Sequence, residues 1–259
     1  MYQRLQYIRT LIETINSETY NVINLFGERG IGKTCLGRVM KDQFSPREEY
    51  FCGYFDLHQY AGMSPDAMVD ALYDLCDLLT AKNIVSLYHF DIADHIHSDR
   101  KQRVPYTDRK ILAHFDKADE VTGFVSEFIE LPYVGAGLKI AKAVTRQLRK
   151  FRPQSEDGKA LFQALQEKSN QDLEDYLPRA LAMDANVSLQ AHNKRVLILV
   201  ENCDCLLGES TEWLYELISR MEHTTWLFLS REKLELTGLH AKFICVEKLN
   251  RREIGRAHV

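Results

Sequence analysis

The sequence predicts an α/β fold: a parallel sheet in a three-layer αβα arrangement, interrupted by a large helical insertion. Three observations carry that prediction. A short apolar run at residues 21–26 (Asn-Val-Ile-Asn-Leu-Phe) leads directly into a glycine-rich loop and then into a helical pattern. Two further apolar runs, residues 195–200 leading into Glu201 and residues 225–231 ending in Ser230-Arg231, read as buried parallel strands whose C-terminal tips face a ligand. Between about residues 85 and 190 the pattern is helical and holds no convincing strand.

The elements follow in order. Residues 3–15 place Leu5, Ile8, Leu11, Ile12 and Ile15 on one stripe, which predicts an amphipathic helix. After the strand at 21–26 and the loop, Leu36, Val39 and Met40 recur at helical spacing until the chain breaks at Ser45-Pro46. Residues 49–57, rich in aromatics, read as a second strand. Ser64-Pro65-Asp66 is a helix start, with a serine cap, a proline at the first position and an acid in the first turn; Met68, Leu72, Leu75 and Leu79 form the inner side. The strand at 195–200 runs into Glu201-Asn202-Cys203-Asp204. A helix from about Ser210 carries Trp213, Leu214, Leu217, Ile218 and Met221. The strand ending at Ser230-Arg231 follows, and residues 243–246 form a last short strand. Strands alternating with helices imply a parallel sheet whose functional groups gather at its carboxyl edge.

The loop itself reads Gly27-Glu28-Arg29-Gly30-Ile31-Gly32-Lys33-Thr34, a complete G-x-x-x-x-G-K-[ST] phosphate-binding motif. Its glycines permit positive φ and leave no Cβ between backbone and phosphate, so successive N–H groups can form an anion nest. The following helix adds its positive end. Lys33 supplies a mobile charge for β- and γ-phosphates, and the Thr34 hydroxyl is placed for Mg²⁺. Strand, loop and helix together predict a parallel-sheet P-loop NTPase fold. The expected nucleotide contacts are Gly27, Glu28, Arg29, Gly30, Ile31, Gly32, Lys33, Thr34 and Cys35. A carboxylate at Glu201, on the tip of the 195–200 strand, can reach the metal shell through water.

Composition narrows the class. The chain has 259 residues, enough for one large domain or two small ones, with a formal net charge of −4. No global basic field argues for nucleic acid. Six cysteines (Cys35, Cys52, Cys76, Cys203, Cys205 and Cys245) lack disulfide-scaffold or zinc spacing, and the Cys203-x-Cys205 pair reads as two small buried residues. Residues 121–144 are apolar but carry Glu127, Glu130, Lys139 and Lys142 and break at Pro132, which predicts two packed helices and not a membrane span. Lys139, Lys142, Arg146, Arg149, Lys150 and Arg152 form a basic helical face, read as solvated surface. With no signal-peptide core at the N-terminus, a cytoplasmic location is expected.

In motif order, residues 3–253 resemble the STAND class of P-loop NTPases, signal-transduction ATPases related to AAA+ proteins. The loop at 27–34 is close to that family's G-x-x-G-x-G-K-T form, residues 196–204 stand in the Walker B place, and Leu229-Ser230-Arg231 resembles a sensor strand ending in [ST]-[ST]-R. The helical insert, with Tyr88-His89-Phe90-Asp91-Ile92-Ala93 and the break at 131–138, is similar to members with helical-repeat tails. The resemblance implies ATP/ADP and Mg²⁺ as ligands, Lys33 on the β/γ-phosphates, Thr34 and Glu201 at the metal, Asp204 orienting water and Arg231 sensing the γ-phosphate. A surface ion pair is the other reading of Arg231. Where the family usually has aspartate this chain has Glu201, followed by Asn202, so no adjacent pair of acids is present and slow hydrolysis is expected. The family's glycine-arginine-glutamate signature upstream is not seen, which leaves the adenine contacts without residues.

The expected organisation is an N-terminal helix over 1–20, an NTPase domain over 21–253 with its insert, and a non-native tail at 254–259. Those last six residues are what a common sequencing adapter encodes in frame, so the natural chain is expected to continue past about Glu253. The resemblance implies a nucleotide-dependent signalling switch, with protein partners reached through missing downstream domains or self-association. A non-hydrolysing nucleotide-binding scaffold is the alternative, followed by a phosphotransferase. A GTPase is disfavoured because Asn193-Lys194-Arg195-Val196 lacks the aspartate of a guanine-reading motif.

Overall fold

The computed structural model describes residues 2–60, 67–110, 155–203, 212–236 and 238–248. The helix start at Ser64-Pro65-Asp66, the helical pair at 121–144, the basic face at 139–152, Asp204, Cys205 and the 254–259 tail lie outside the described residues. The chain divides into two compact units, residues 1–86 with 181–259, and residues 87–180.

The first unit is built on a five-stranded, all-parallel sheet. In chain order its described elements are α1 (Tyr2–Asn16), β1 (Val22–Phe26), α2 (Lys33–Phe44), β2 (Tyr50–Asp56), a 3₁₀ turn (Leu57–Tyr60) and α3 (Ala67–Thr80), and later β3 (Arg195–Glu201), α7 (Glu212–Arg220), β4 (Thr224–Ser230) and β5 (Ala241–Cys245). The sheet order is β2-β3-β4-β1-β5. Central β4 has every residue buried, and β3 is buried through Val196–Val200. Strands covered on both faces read as continuous apolar runs rather than alternating ones, which is why both stood out in the sequence.

One face packs under α1 and α2. Ile23, Leu25, Leu197, Leu199, Leu227, Leu229 and Ile244 meet Leu11 and Ile15 of α1 and Leu36, Met40 and Phe44 of α2. Within each strand these positions alternate, as the period of two requires. Gly37 lets α2 approach closely, since a Cβ there would sit 2.9 Å from Leu229 Cδ1 and 3.1 Å from Leu199 Cδ2. On the opposite face α3 presses Leu78 onto Gly53. The N-terminal helix is therefore part of this core, with Leu11 and Ile15 fully buried.

The second unit is helical in its described residues: α4 (Tyr88–Lys101), the start of a further helix at 106–110, α5 (Glu156–Gln166) and the first half of α6 (Asn170–Ala191). Polar side chains fix its turns. Buried Asp94 accepts from Ser98 Oγ (3.1 Å) and Tyr106 N (2.7 Å), and Arg100 donates to the carbonyls of Gln166 and Lys168, both at 2.6 Å. Glu174 of α6 receives His97 at 3.2 Å and Lys101 at 3.0 Å from α4. No helix among the described residues is long and apolar enough to cross a membrane.

Two outcomes follow. Met40→Ala leaves a cavity beneath α2 and lowers unfolding stability by about 2–5 kcal/mol, read as a lower urea midpoint at unchanged slope. Burial pushes the Glu174 carboxyl up, but its hydrogen bonds to Lys101 and His97 outweigh that and hold it below its ordinary value. Its contribution is therefore present above the ordinary glutamate range and lost as pH falls through the depressed folded-state value. Glu174→Gln is expected to flatten the acid limb of a stability–pH profile measured by thermal unfolding.

Candidate phosphate-binding site

All five strands run the same way, so their C-terminal tips share one edge. The phosphate loop leaves β1 there. Its glycines adopt the conformations that motivate them: Gly27 at φ 147°, Gly30 at 81° and Gly32 at 91°. A Cβ on Gly27 would lie 2.5 Å from both Val246 O and Ile31 Cδ1. Gly32 caps α2 without any side-chain hydrogen bond, and the first turn contains no acid. The positive end of α2 therefore has no acid of its own first turn beside it, an arrangement that can accept an anion. Lys33 folds its ammonium onto the loop, donating to Gly27 O (2.6 Å) and Glu28 O (2.9 Å). Thr34 and Cys35 are exposed in the first helical turn. Glu28 forms an ion pair with Lys248, beyond β5.

Strand order decides what faces the loop. β4 lies between β1 and β3, with Phe26 in register with Ser230 and Val200 with Phe228. Gly27 N donates to Arg231 O at 3.1 Å, extending the β1–β4 ladder one step past the strands. The structure therefore brings exposed Arg231 beside the root of the loop. Glu201 ends β3, two strand spacings from β1, which is about 10 Å across the sheet. That span leaves room for a phosphate and its cation between them.

Glu201 has a neighbour that sequence reading missed. Asp56, at the tip of β2, is its register partner. Since Leu197 and Leu199 face α2, Glu201 projects from the same face, and its partner Asp56 does too. Asp56 Oδ1 accepts from His58 N (2.9 Å) and from Asn202 Nδ2 (2.8 Å). Asn202 reaches it from a left-handed conformation, φ 56°. The second acid thus comes from the adjacent strand rather than the adjacent residue. The signal was present in the sequence, because residues 50–56 also form an aromatic run ending in an acid.

These groups suit a hard cation. Among the described residues Glu201 Oε1 is buried without a hydrogen-bonding partner, and the available donors, Thr34, Glu201 and Asp56, are all oxygen ligands. Among the described residues no cluster of three or more His, Cys, Asp or Glu is arranged to hold a metal. Mg²⁺ needs none, since it completes its shell with phosphate oxygens and water.

Beside the loop opens a cleft of about 610 Å³. Arg4 and Ile8 of α1 form one wall, Cys35, Leu36 and Val39 of α2 another, Arg29 to Gly32 the floor and Lys248 the rim. Its volume falls in the usual range for small-molecule sites, roughly 300–1,000 Å³. Arg4 donates through Nη2 to Ile31 O. Nothing local in the sequence marks Arg4 or Lys248, because the loop recruits them from 27 residues upstream and from beyond β5. Asp204 lies outside the described residues.

No family model matches the chain, and no curated protein matches it. Among solved structures the chain is similar to one described as Drosophila ORC bound to DNA, at 13% identity and a TM-score of 0.45. That alignment covers 98% of this chain and 45% of the other, so the chain spans less than half of that neighbour's length.

Gly27→Ala is expected to cost about 1–3 kcal/mol of stability, because the methyl meets the Val246 carbonyl at a strained φ. Chemical denaturation measures it, with Gly30→Ala as the comparison, where the added methyl meets open space.

Proposed function

We propose that the chain is an adenine-nucleotide-binding P-loop domain that binds ATP or ADP with Mg²⁺ and acts as a nucleotide-dependent switch with slow hydrolysis. The observation that carries the reading is the phosphate loop at the start of α2, capped by a glycine with no acid in the first turn, its lysine folded onto the loop's own carbonyls. Loop N–H groups and the end of α2 hold the β-phosphate, and Lys33 moves from Gly27 O and Glu28 O onto the β- and γ-phosphates. Bound Mg²⁺ supplies charge neutralisation at those phosphates. Thr34 and Glu201 hold it, with Asp56 beside them. The base occupies the cleft between Ile8 and Val39, where apolar walls suit a flat heterocycle.

Hydrolysis needs positioning more than covalent chemistry. Water attacks the γ-phosphorus in line, the bond to the bridging oxygen breaks, and ADP and phosphate leave. Arg231, whose main-chain carbonyl is bonded to the loop root, supplies the cation for the charge that builds on the γ-phosphate. Asp204 orients the water by its sequence position. The STAND resemblance supports a signalling role, in which triphosphate and diphosphate favour different arrangements of attached segments or partner copies. A second reading, a scaffold that binds nucleotide without turnover, is favoured by one contact: Asn202 stands where a second acid would be and spends its amide on Asp56.

Lys33→Ala is expected to lower Mg·ATP affinity roughly tenfold or more, the loss of one charge-assisted contact. Equilibrium titration checks it, and unchanged affinity overturns the assignment. Glu201→Gln is expected to retain nucleotide but to weaken the Mg²⁺ dependence of binding and depress phosphate release. Release that is undetectable in the unaltered chain despite tight binding selects the scaffold.

A further inference from the structure

Asn24 is a polar residue in the middle of β1, flanked by Val22, Ile23 and Leu25, and it is fully buried. An amide there is costly unless both its ends are bonded, and an apolar residue would fill the position without that cost. Both ends are bonded, to one segment more than two hundred residues away. Asn24 Nδ2 donates to Ser230 Oγ at 2.8 Å, and Leu234 N donates to Asn24 Oδ1 at 3.0 Å. Ser230 Oγ passes the chain on, donating to Glu232 O at 2.5 Å. Ser230 and Leu234 are themselves buried.

The clamped segment, residues 230–234, is the turn by which the chain leaves β4, and it carries Arg231. From the other side Gly27 N holds Arg231 O. Arg231 is therefore fixed at its own carbonyl by the root of the phosphate loop and at its flanks by Asn24. Hydrogen bonds linked in series polarise one another, and a turn held at three points spends little conformational entropy when it meets a ligand. The distance of its backbone from the loop is set before nucleotide arrives.

We propose that Asn24 is the positioning residue that lets this site distinguish nucleoside triphosphate from diphosphate, by fixing the β4 turn so that Arg231 meets the γ-phosphate. The inference rests on the nucleotide-binding reading above. The γ-phosphate is the group that separates the two ligands, and the tip of β4 is the strand tip next to the loop that would hold it. A cation held there favours the triphosphate, whereas a cation on a loose turn must first be ordered, and its preference shrinks. The β-phosphate contacts belong to the loop and α2, so ADP binding does not depend on Asn24.

The test is equilibrium titration of the full chain with Mg·ADP and with the Mg²⁺ complex of the slowly hydrolysed γ-thio analogue of ATP. Asn24→Ala and Ser230→Ala are each expected to lower the triphosphate-to-diphosphate affinity ratio about fivefold or more, with ADP affinity within about twofold of the unaltered chain. Arg231→Ala is expected to lower the ratio at least as far. Combined with Asn24→Ala it adds little, since both changes remove one interaction. Ser230→Thr, which keeps the hydroxyl, retains the ratio. Should Asn24→Ala fail to fold, Ser230→Ala carries the measurement alone. A drop in stability with the ratio unchanged, or equal losses for both ligands, overturns the inference and leaves nucleotide binding standing. An unaltered chain that binds neither ligand overturns both.

Discussion

The carboxyl edge of this protein is organised by the parallel pairing of β1 with β4. That pairing runs from Val22–Trp226 to Phe26–Ser230 and continues one step further, where Gly27 N meets Arg231 O. It puts the phosphate loop next to a basic tip and displaces the acid-tipped β3 by one strand. Phosphate cradle, cation and carboxylates are thereby spread across neighbouring tips in that order. A pairing of β1 directly with β3 would set Glu201 against the loop, where its charge would oppose the anion. The interval supplied by β4 separates the two by about two strand spacings, a gap that the proposed triphosphate and its metal would span.

The loop depends on the same frame. Its helix lies close against the sheet because Gly37 leaves space for Leu199 and Leu229, and Leu36, Met40 and Phe44 bury α2 beneath α1. A helix anchored along its length holds its N-terminal end rigid, so the amides of its first turn are presented at fixed positions. Gly27 shows how little room remains at the root, hemmed by Val246 O from β5's exit and by Ile31 from its own loop. Rigidity in the core thus becomes pre-organisation at the edge.

Much of this is legible in the sequence because it is local. The phosphate loop is a run of eight residues, its helix repeats at three and four, and β3 and β4 are apolar runs buried on both faces. Strand order is not local: nothing between residues 195 and 231 states that β4 inserts between β1 and β3. The consequences of that order were hidden with it. Asp56 ends a strand in an acid, as Glu201 does, yet only the register places the two side by side. Arg4 belongs to an amphipathic stripe read for its leucines and isoleucines, and its contact with Ile31 O arises from packing of α1 over the loop. Asn24 did carry a signal, as a polar residue inside an apolar strand, but its partners come from the far end of the chain.

In the proposed function, the residues at this edge account for nucleotide binding more fully than for turnover. Loop, helix end, Lys33 and cleft are the features on which the proposed binding rests, and Glu201 Oε1 is buried beside Asp56 with no hydrogen-bonding partner among the described residues. On the acid side, Asn202 is committed to Asp56. The slow cycle proposed above would suit a switch, whose state must outlast the event that sets it. The most direct test is calorimetric titration of the intact chain with ATP in the presence of Mg²⁺. One saturable site per chain, from which ADP competes ATP away, is the predicted result; no binding at millimolar nucleotide contradicts it.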